Sequence, residues 1–262
     1  MPHAARHSAK PRLGTRRQPE ASRSAILKAA LIEFAQEGLS GARVDAIADA
    51  AGVNKALLYY YFHDKDTLYG AVLEEFFSRF LVRLTEALDR PATAGERFLS
   101  YVRAHFDTVA ESPHYARIFL SEMMSAGRTG SPHLERLFAR YLQPISDRVL
   151  GVLQDGITGG EFRPVKAEQF MPSAVGTIVH YFAVAPLLRK LRQVDPFSVR
   201  AIQERRAAVL DFAAAALFTD RQAGIELAAR VAAAEGCAST ALARAEEAGD
   251  RVTRRVTRRK RA

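Results

Sequence analysis

The sequence predicts an all-α fold, with a small three-helix head at the N-terminus followed by a larger helical body. Three observations carry that prediction. After Ala21, apolar residues recur at the three-and-four spacing of one helical face. No convincing period-two run marks a strand. Residues that start and stop helices (Gly38, Gly52, Asn54, Pro91) fall between the periodic segments.

The elements follow in order. A first helix is predicted from about Ser24 to Glu37, with Leu27, Ala30, Leu31 and Phe34 inward and Gly38 as its C-terminal stop. A second, short one covers about Val44 to Ala50, with Val44, Ile47, Ala48 and Ala51 on one face, and Gly52 makes the turn after it. Asn54 can cap a third helix over Lys55 to Phe62. A long Leu- and Phe-rich helix is expected from Asp64 to about Asp89, closed by Pro91, where the head would give way to the body. Body helices are read over Gly95–Glu111, His114–Ala126, Ser131–Asp155, Ala167–Leu191 and Pro196–Thr219. The stretch Gly156 to Pro164 reads as a loop, and the Ala-rich stretch from Arg221 to Ala248 as a further helix. The domain reading is therefore a basic arm (1–22), a head (23–68), a body (69–219) and an Ala-rich extension with a basic tail (220–262).

The chain has 262 residues and 48% hydrophobic content, enough for a sizeable core. No stretch approaches the ~18 unbroken apolar residues of a membrane span, and the N-terminus lacks the apolar region of a secretory signal, so no membrane partner is expected. Cys237 is the only cysteine, which excludes an internal disulfide and fits a reducing cytoplasm. The formal net charge of +9 is unevenly distributed. Residues 1–22 hold five cations against Glu20, and residues 250–262 hold seven against Asp250, so the intervening chain is nearly neutral. Such tails are either solvated arms or salt-sensitive grips on phosphate.

Two short helices joined by a Gly turn and supported by another form a helix-turn-helix, whose second helix can enter a DNA major groove. In that helix, Leu58 and Phe62 lie four apart and face inward, which turns Lys55, Ala56, Tyr59 and Tyr60 outward. A cation, a small residue permitting close approach and two phenols suit phosphates and sugars; the competing reading is an aromatic packing helix. The run from Arg23 to Val72 also resembles the TetR/AcrR regulator family. The blocks Ala29-Ala30-Leu31-Ile32-Glu33-Phe34-Ala35, Ile47-Ala48-Asp49-Ala50-Ala51-Gly52-Val53 and Leu58-Tyr59-Tyr60-Tyr61-Phe62-His63-Asp64-Lys65 carry the likeness. The resemblance implies base contacts from Lys55, Ala56 and Leu57 and phosphate contacts from Tyr59, Tyr60 and Lys65. It also implies a homodimer, built by the last two long helices, on a near-palindromic double-stranded DNA operator. Repression relieved by a small-molecule effector is the mode it suggests. This chain departs from the family at Arg43, where a Ser or Thr cap is common, and at Leu57, where a small hydroxyl residue is common. Arg43 can still hold a phosphate, and Leu57 can touch a thymine methyl.

The head itself is weakly charged, with Arg23, Lys28, Arg43, Lys55 and Lys65 set against Glu33, Glu37, Asp45, Asp49, Asp64 and Asp66. Phosphate contacts from the arm, with Arg16 and Arg17 entering the minor groove, would supplement it. In the body, Phe80, Tyr101, Phe106, Phe119, Met123 and Tyr141 are the candidate lining of a pocket for an apolar or aromatic effector. Phe76, Phe77 and Met124 belong to the same population of soft side chains. Small residues among aromatics (Ala174, Gly176, Ile178, Tyr181, Phe182 and Val184 in one helix; Phe212 and Ala213 to Ala216 in the next) suit close packing at a dimer seam.

Gly159-Gly160-Glu161-Phe162 spells a cyclic-dinucleotide cyclase signature, but its place between two helices reads as a connecting turn. The seven histidines show no metal-ligand spacing, and His105 and His180 read as satisfied core residues. No nucleophile and base are assembled, and no cofactor motif is present, so an enzyme is not expected. The alternative function is a sequence-tolerant architectural protein that grips DNA through its tails.

Overall fold

The computed structural model describes residues 19–129, 131–192 and 195–234. The helices are α1 (Pro19–Gly41), α2 (Val44–Ala51), α3 (Lys55–Phe62), α4 (Lys65–Asp89), α5 (Ala94–Glu111), α6 (Pro113–Thr129), α7 (Pro132–Leu137), α8 (Gln143–Thr158), α9 (Ala167–Arg192), α10 (Val199–Leu217) and α11 (Arg221–Ala233). Among the described residues the sole extended pairing is an isolated antiparallel bridge between Phe162 and Phe218. The chain divides into two compact units at Val72/Leu73, inside α4, not at Pro91. The apolar face of α4 continues across that point, so Pro91 ends a helix without ending a domain.

The first unit is a small helical head. Ile26, Leu27, Ala30 and Phe34 of α1 pack with Ile47, Ala48, Leu58, Phe62, Leu68 and Val72, all buried. The ring of Phe34 meets Tyr69 edge-on at 4.9 Å. Regular helix in α1 ends at Gly38, whose φ of 70° is open to glycine at little cost. Gly52 does the same after α2 at φ 69°, its N–H reaching the carbonyls of Ala48 and Asp49. That left-handed residue turns the chain sharply enough for α3 to start three residues later.

The second unit is built around α5, which packs against α6, α8, α9, α10 and α11. Thr93 starts α5 with a capping box, its hydroxyl accepting from the Glu96 N–H. Buried Phe98, Leu99, Tyr101, Val102, Phe106 and Val109 line its inner faces. The predicted helix over Ser131–Asp155 is continuous but not uniform: a π-helical turn, Phe138–Leu142, joins α7 to α8. Pro144 has no N–H to continue the regular ladder, and the Gln143 N–H instead reaches back five residues to Phe138.

The helix then runs three residues further than expected, to Thr158. The Gly159-Gly160-Glu161-Phe162 run is the connecting turn that follows it. The N–H of Phe162 bonds the carbonyl of Gly156 at 3.0 Å, and Arg163 and Thr219 complete the bridge to the end of α10. Helix α10 begins at Val199, capped by Ser198, rather than at Pro196. The described part of the Ala-rich stretch is helical to Ala233; the rest of it, both basic tails with Arg16 and Arg17, and Cys237 lie outside the described residues.

Candidate DNA-binding face and effector cavity

The helix-turn-helix is built by α2, Gly52 and α3. The Asn54 side chain accepts the Leu57 N–H at 2.7 Å, satisfying one of the free donors at the start of α3. Leu58 and Phe62 are buried, so the helix is locked in rotation. Lys55, Ala56, Tyr59 and Tyr60 are consequently exposed together, Tyr60 to 76%, while Leu57 is half-buried at their edge. The three tyrosines divide between two tasks. Tyr61 is half-buried and donates its hydroxyl to the Pro19 carbonyl at 3.0 Å, tying α3 to the start of α1. The guanidinium of Arg23 sits 5.4 Å over the ring of Phe62, a second tie between the same helices.

Two cations of the head, Lys55 and Lys65, have local partners that sequence spacing did not reveal. Lys55 Nζ lies 2.9 Å from Asp45 Oδ1, one helix earlier. That hydrogen bond holds the Asp45 carboxyl below its ordinary pKa and the Lys55 ammonium above its own. Lys65 Nζ donates to the carbonyls of Ser40 at 3.0 Å and Ala42 at 3.2 Å, closing the end of α1. Arg43 is exposed and provides no side-chain cap; its own N–H is satisfied by Glu33 Oε1 at 3.0 Å. Glu33 therefore satisfies the N–H of the N-cap residue but does not replace the missing Ser or Thr hydroxyl, which would accept from the first turn of α2.

The second unit encloses a cavity of about 340 Å³. Three of the candidate residues line it: Phe80, Tyr101 and Phe119. Phe106 does not, because it is fully buried against Phe182 at 5.3 Å. Tyr141 is absent from the lining too; it sits beside Phe77 and donates its hydroxyl to Glu74 Oε1 at 2.9 Å. Met123 lies outside the cavity, half exposed on α6. The rest of the wall includes Phe76, Phe77, His105, Tyr115, Val149 and Met171. His105 is buried as expected but is not satisfied, since its Nδ1 has no hydrogen-bond partner. Burial lowers its pKa to about 4, so the ring is neutral at pH 7. His180, by contrast, is exposed and borders a second hollow, between α9 and α10, with Tyr181, Val184, Leu188 and Arg205.

Helix α9, over Ala167–Leu191, is long and apolar enough to cross a membrane by length and composition, although most of that stretch is not buried within the chain. Leu187, Leu191 and, on α10, Phe212 are large exposed apolar residues. Among the described residues no group of three or more His, Cys, Asp or Glu is placed to hold a metal ion.

Residues 26–72 match the sequence model of bacterial regulatory proteins of the tetR family, and residues 95–212 match that of the tetracyclin repressor-like C-terminal domain. The HTH-type transcriptional repressor SCO4008 of Streptomyces coelicolor is 33% identical over 145 residues, which span 54% of this chain and 72% of that protein. The chain belongs to the TetR family.

The HTH-type transcriptional regulator RutR of Escherichia coli K12 is 29% identical over 170 residues, 65% of this chain and 78% of its own. The structure of the ketosteroid transcriptional regulator KstR2 of Mycobacterium tuberculosis shares the fold. Its TM-score is 0.57 at 22% identity, covering 82% of this chain and 95% of that one. As a TetR-family member the protein is a DNA-binding transcriptional regulator of helix-turn-helix type, a class that dimerises and responds to small molecules.

Proposed function

We propose that this TetR-family regulator is a cytoplasmic repressor that occupies a near-palindromic operator and leaves it when an apolar effector enters the α5-lined cavity. The observation that carries the DNA half of this reading is the composition of the exposed face of α3. Two phenols and a lysine stand outward there on a helix fixed by buried Leu58 and Phe62. In the complex, Lys55, Ala56 and Leu57 meet base edges, while Arg43, Tyr59 and Tyr60 hold phosphates and sugars. Lys65 spends two of its three N–H groups on the carbonyls of Ser40 and Ala42 and offers the third to phosphate. Two such heads in a homodimer would read successive major grooves about 34 Å apart. The exposed apolar residues of α9 and α10 supply a surface of the type such a dimer buries.

Helix α4 supplies residues to the head and to the cavity wall, so a ligand that favours one arrangement of α4 would shift the population of DNA-competent dimers. The decisive measurement is selection from a random duplex pool, followed by titration of the winning and scrambled duplexes at two salt concentrations. Enrichment of a palindrome is expected, with Tyr59→Ala or Lys55→Ala losing about tenfold or more in discrimination. Equal affinity for all duplexes, abolished by removing residues 1–20 and 250–262, would replace this reading with that of an architectural DNA binder.

A further inference from the structure

The wall of the cavity in the second unit says more about its ligand than that it is apolar. None of the side chains around it is charged, so a carboxylate or a cation placed inside would lose its hydration without gaining a partner. The flat rings of Phe76, Phe80 and Tyr115 are stacked on one another, with Phe76 and Tyr115 only 4.1 Å apart, and present planar faces. At about 340 Å³ the space lies near the lower end of the roughly 300–1,000 Å³ typical of small-molecule sites.

One buried polar group is left over. His105 is 6% exposed, lines the cavity, and stands edge-on to Phe80 at 4.9 Å and to Tyr101 at 5.9 Å. Its Nδ1 is buried without a partner, so the ring can turn toward a hydrogen-bonding ligand without breaking a bond at that atom. Tyr101, the tyrosine whose ring is beside His105, lines the cavity with it.

We propose that the cavity takes an uncharged, compact, ring-bearing molecule with one hydroxyl or carbonyl group, and that His105, supported by Tyr101, hydrogen-bonds that group. A neutral imidazole offers one donor and one acceptor, so either a hydroxyl or a carbonyl is accommodated. An acid of the same skeleton is rejected for want of a counter-charge. This inference rests on the cavity being the effector site, and its test separates the two.

The full-length protein is titrated with matched fluorescent sets, in which naphthalene and phenanthrene skeletons each appear as hydrocarbon, alcohol and carboxylate. Binding is read from probe fluorescence, and release of a labelled operator duplex is read in parallel by anisotropy. The alcohols are expected to bind at least tenfold more tightly than the carboxylates. Their affinity should fall about tenfold in His105→Phe, whereas that of the hydrocarbons stays within about twofold, the signature of a lost hydrogen bond rather than a damaged cavity. His105→Gln should restore most of the loss, and Tyr101→Phe, which changes only a hydroxyl, should lower alcohol binding by a few-fold.

Tightest binding by the carboxylates, equal losses for alcohol and hydrocarbon, or no binding by any probe would overturn the proposal and leave DNA recognition untouched. Alcohol binding that depends on His105 but releases no operator would uphold the ligand chemistry and remove the effector reading of the cavity.

Discussion

At the scale of single residues, the exposed face of α3 is restrained by its own protein. Lys55 is paired with Asp45 across 2.9 Å, so the proposed contact with DNA would exchange that carboxylate for a phosphate or a base edge. Both groups are exposed, and an ion pair of this kind adds little to folding stability. Its effect belongs to binding. Asp45→Asn is therefore expected to tighten operator affinity several-fold without moving the denaturation midpoint, and by more than Asp49→Asn, an exposed carboxylate on the same helix that serves as the control for net charge. Weaker binding by Asp45→Asn would mean that Asp45 aims Lys55 at its target instead of restraining it. His105 makes a second residue-scale prediction. Its pKa falls from 6.5 to about 4 on burial, so between those values the unfolded chain binds a proton that the folded one refuses. Stability contributed by the neutral ring is thus complete above pH 6.5 and is lost as pH drops toward 4, with a slope approaching about 1.4 kcal/mol per pH unit. The other titratable groups lining the cavity, Tyr101 and Tyr115, are both pushed upward by burial and stay protonated throughout that range. Chemical denaturation of wild type and His105→Phe from pH 7 to 4.5 should show wild type losing stability relative to the variant as pH falls; parallel curves would refute the assignment.

At the scale of elements, the turn after α8 shows how a close approach fixes a connection. Gly156 is buried beneath the ring of Phe162, and a methyl group there would collide with it. Gly156→Ala should cost about 1–3 kcal/mol, read as a lower denaturant midpoint, and Phe162→Leu in the same chain should recover part of that loss. Recovery is the informative result, because helix propensity alone would favour alanine. The same region marks what periodicity can and cannot reveal. The span of α3 was legible to the residue because three local signals coincide there: a left-handed Gly52, the Asn54 cap and the inward pair Leu58 and Phe62. The π turn between α7 and α8 was not, because it lies inside an unbroken apolar pattern that reads as one regular helix. The cavity was half legible. Phe80, Tyr101 and Phe119 share the chemistry of Phe106 and Tyr141, and only tertiary packing decides which of them face empty space. Lys65 as a clasp on α1, and Asp45 as the partner of Lys55, depend on contacts between separate helices that no spacing rule encodes.

At the scale of the whole molecule, regulation requires that the operator and the effector be coupled through the conformations of one chain. If an effector weakens operator binding by a given factor, the operator must weaken effector binding by the same factor. Couplings of about 1–3 kcal/mol, or roughly 5–150-fold, are usual for such systems. The matched probes supply the measurement: the affinity of the best-binding alcohol is titrated with and without saturating operator duplex, and operator affinity with and without saturating alcohol. Equal factors above about fivefold are the expected result for a repressor released by its ligand. A cavity that binds the alcohol with unchanged affinity on and off DNA would be uncoupled from the heads, and the signal would have to enter elsewhere. The hollow between α9 and α10, bordered by exposed His180 and half-buried Tyr181 and Arg205, is then the next place to probe. The two sites can be told apart with one variant. His105→Phe weakens alcohol binding in the cavity and leaves the α9–α10 hollow intact, so operator release that now needs about tenfold more alcohol arises inside the His105 cavity, and release at an unshifted concentration arises outside it.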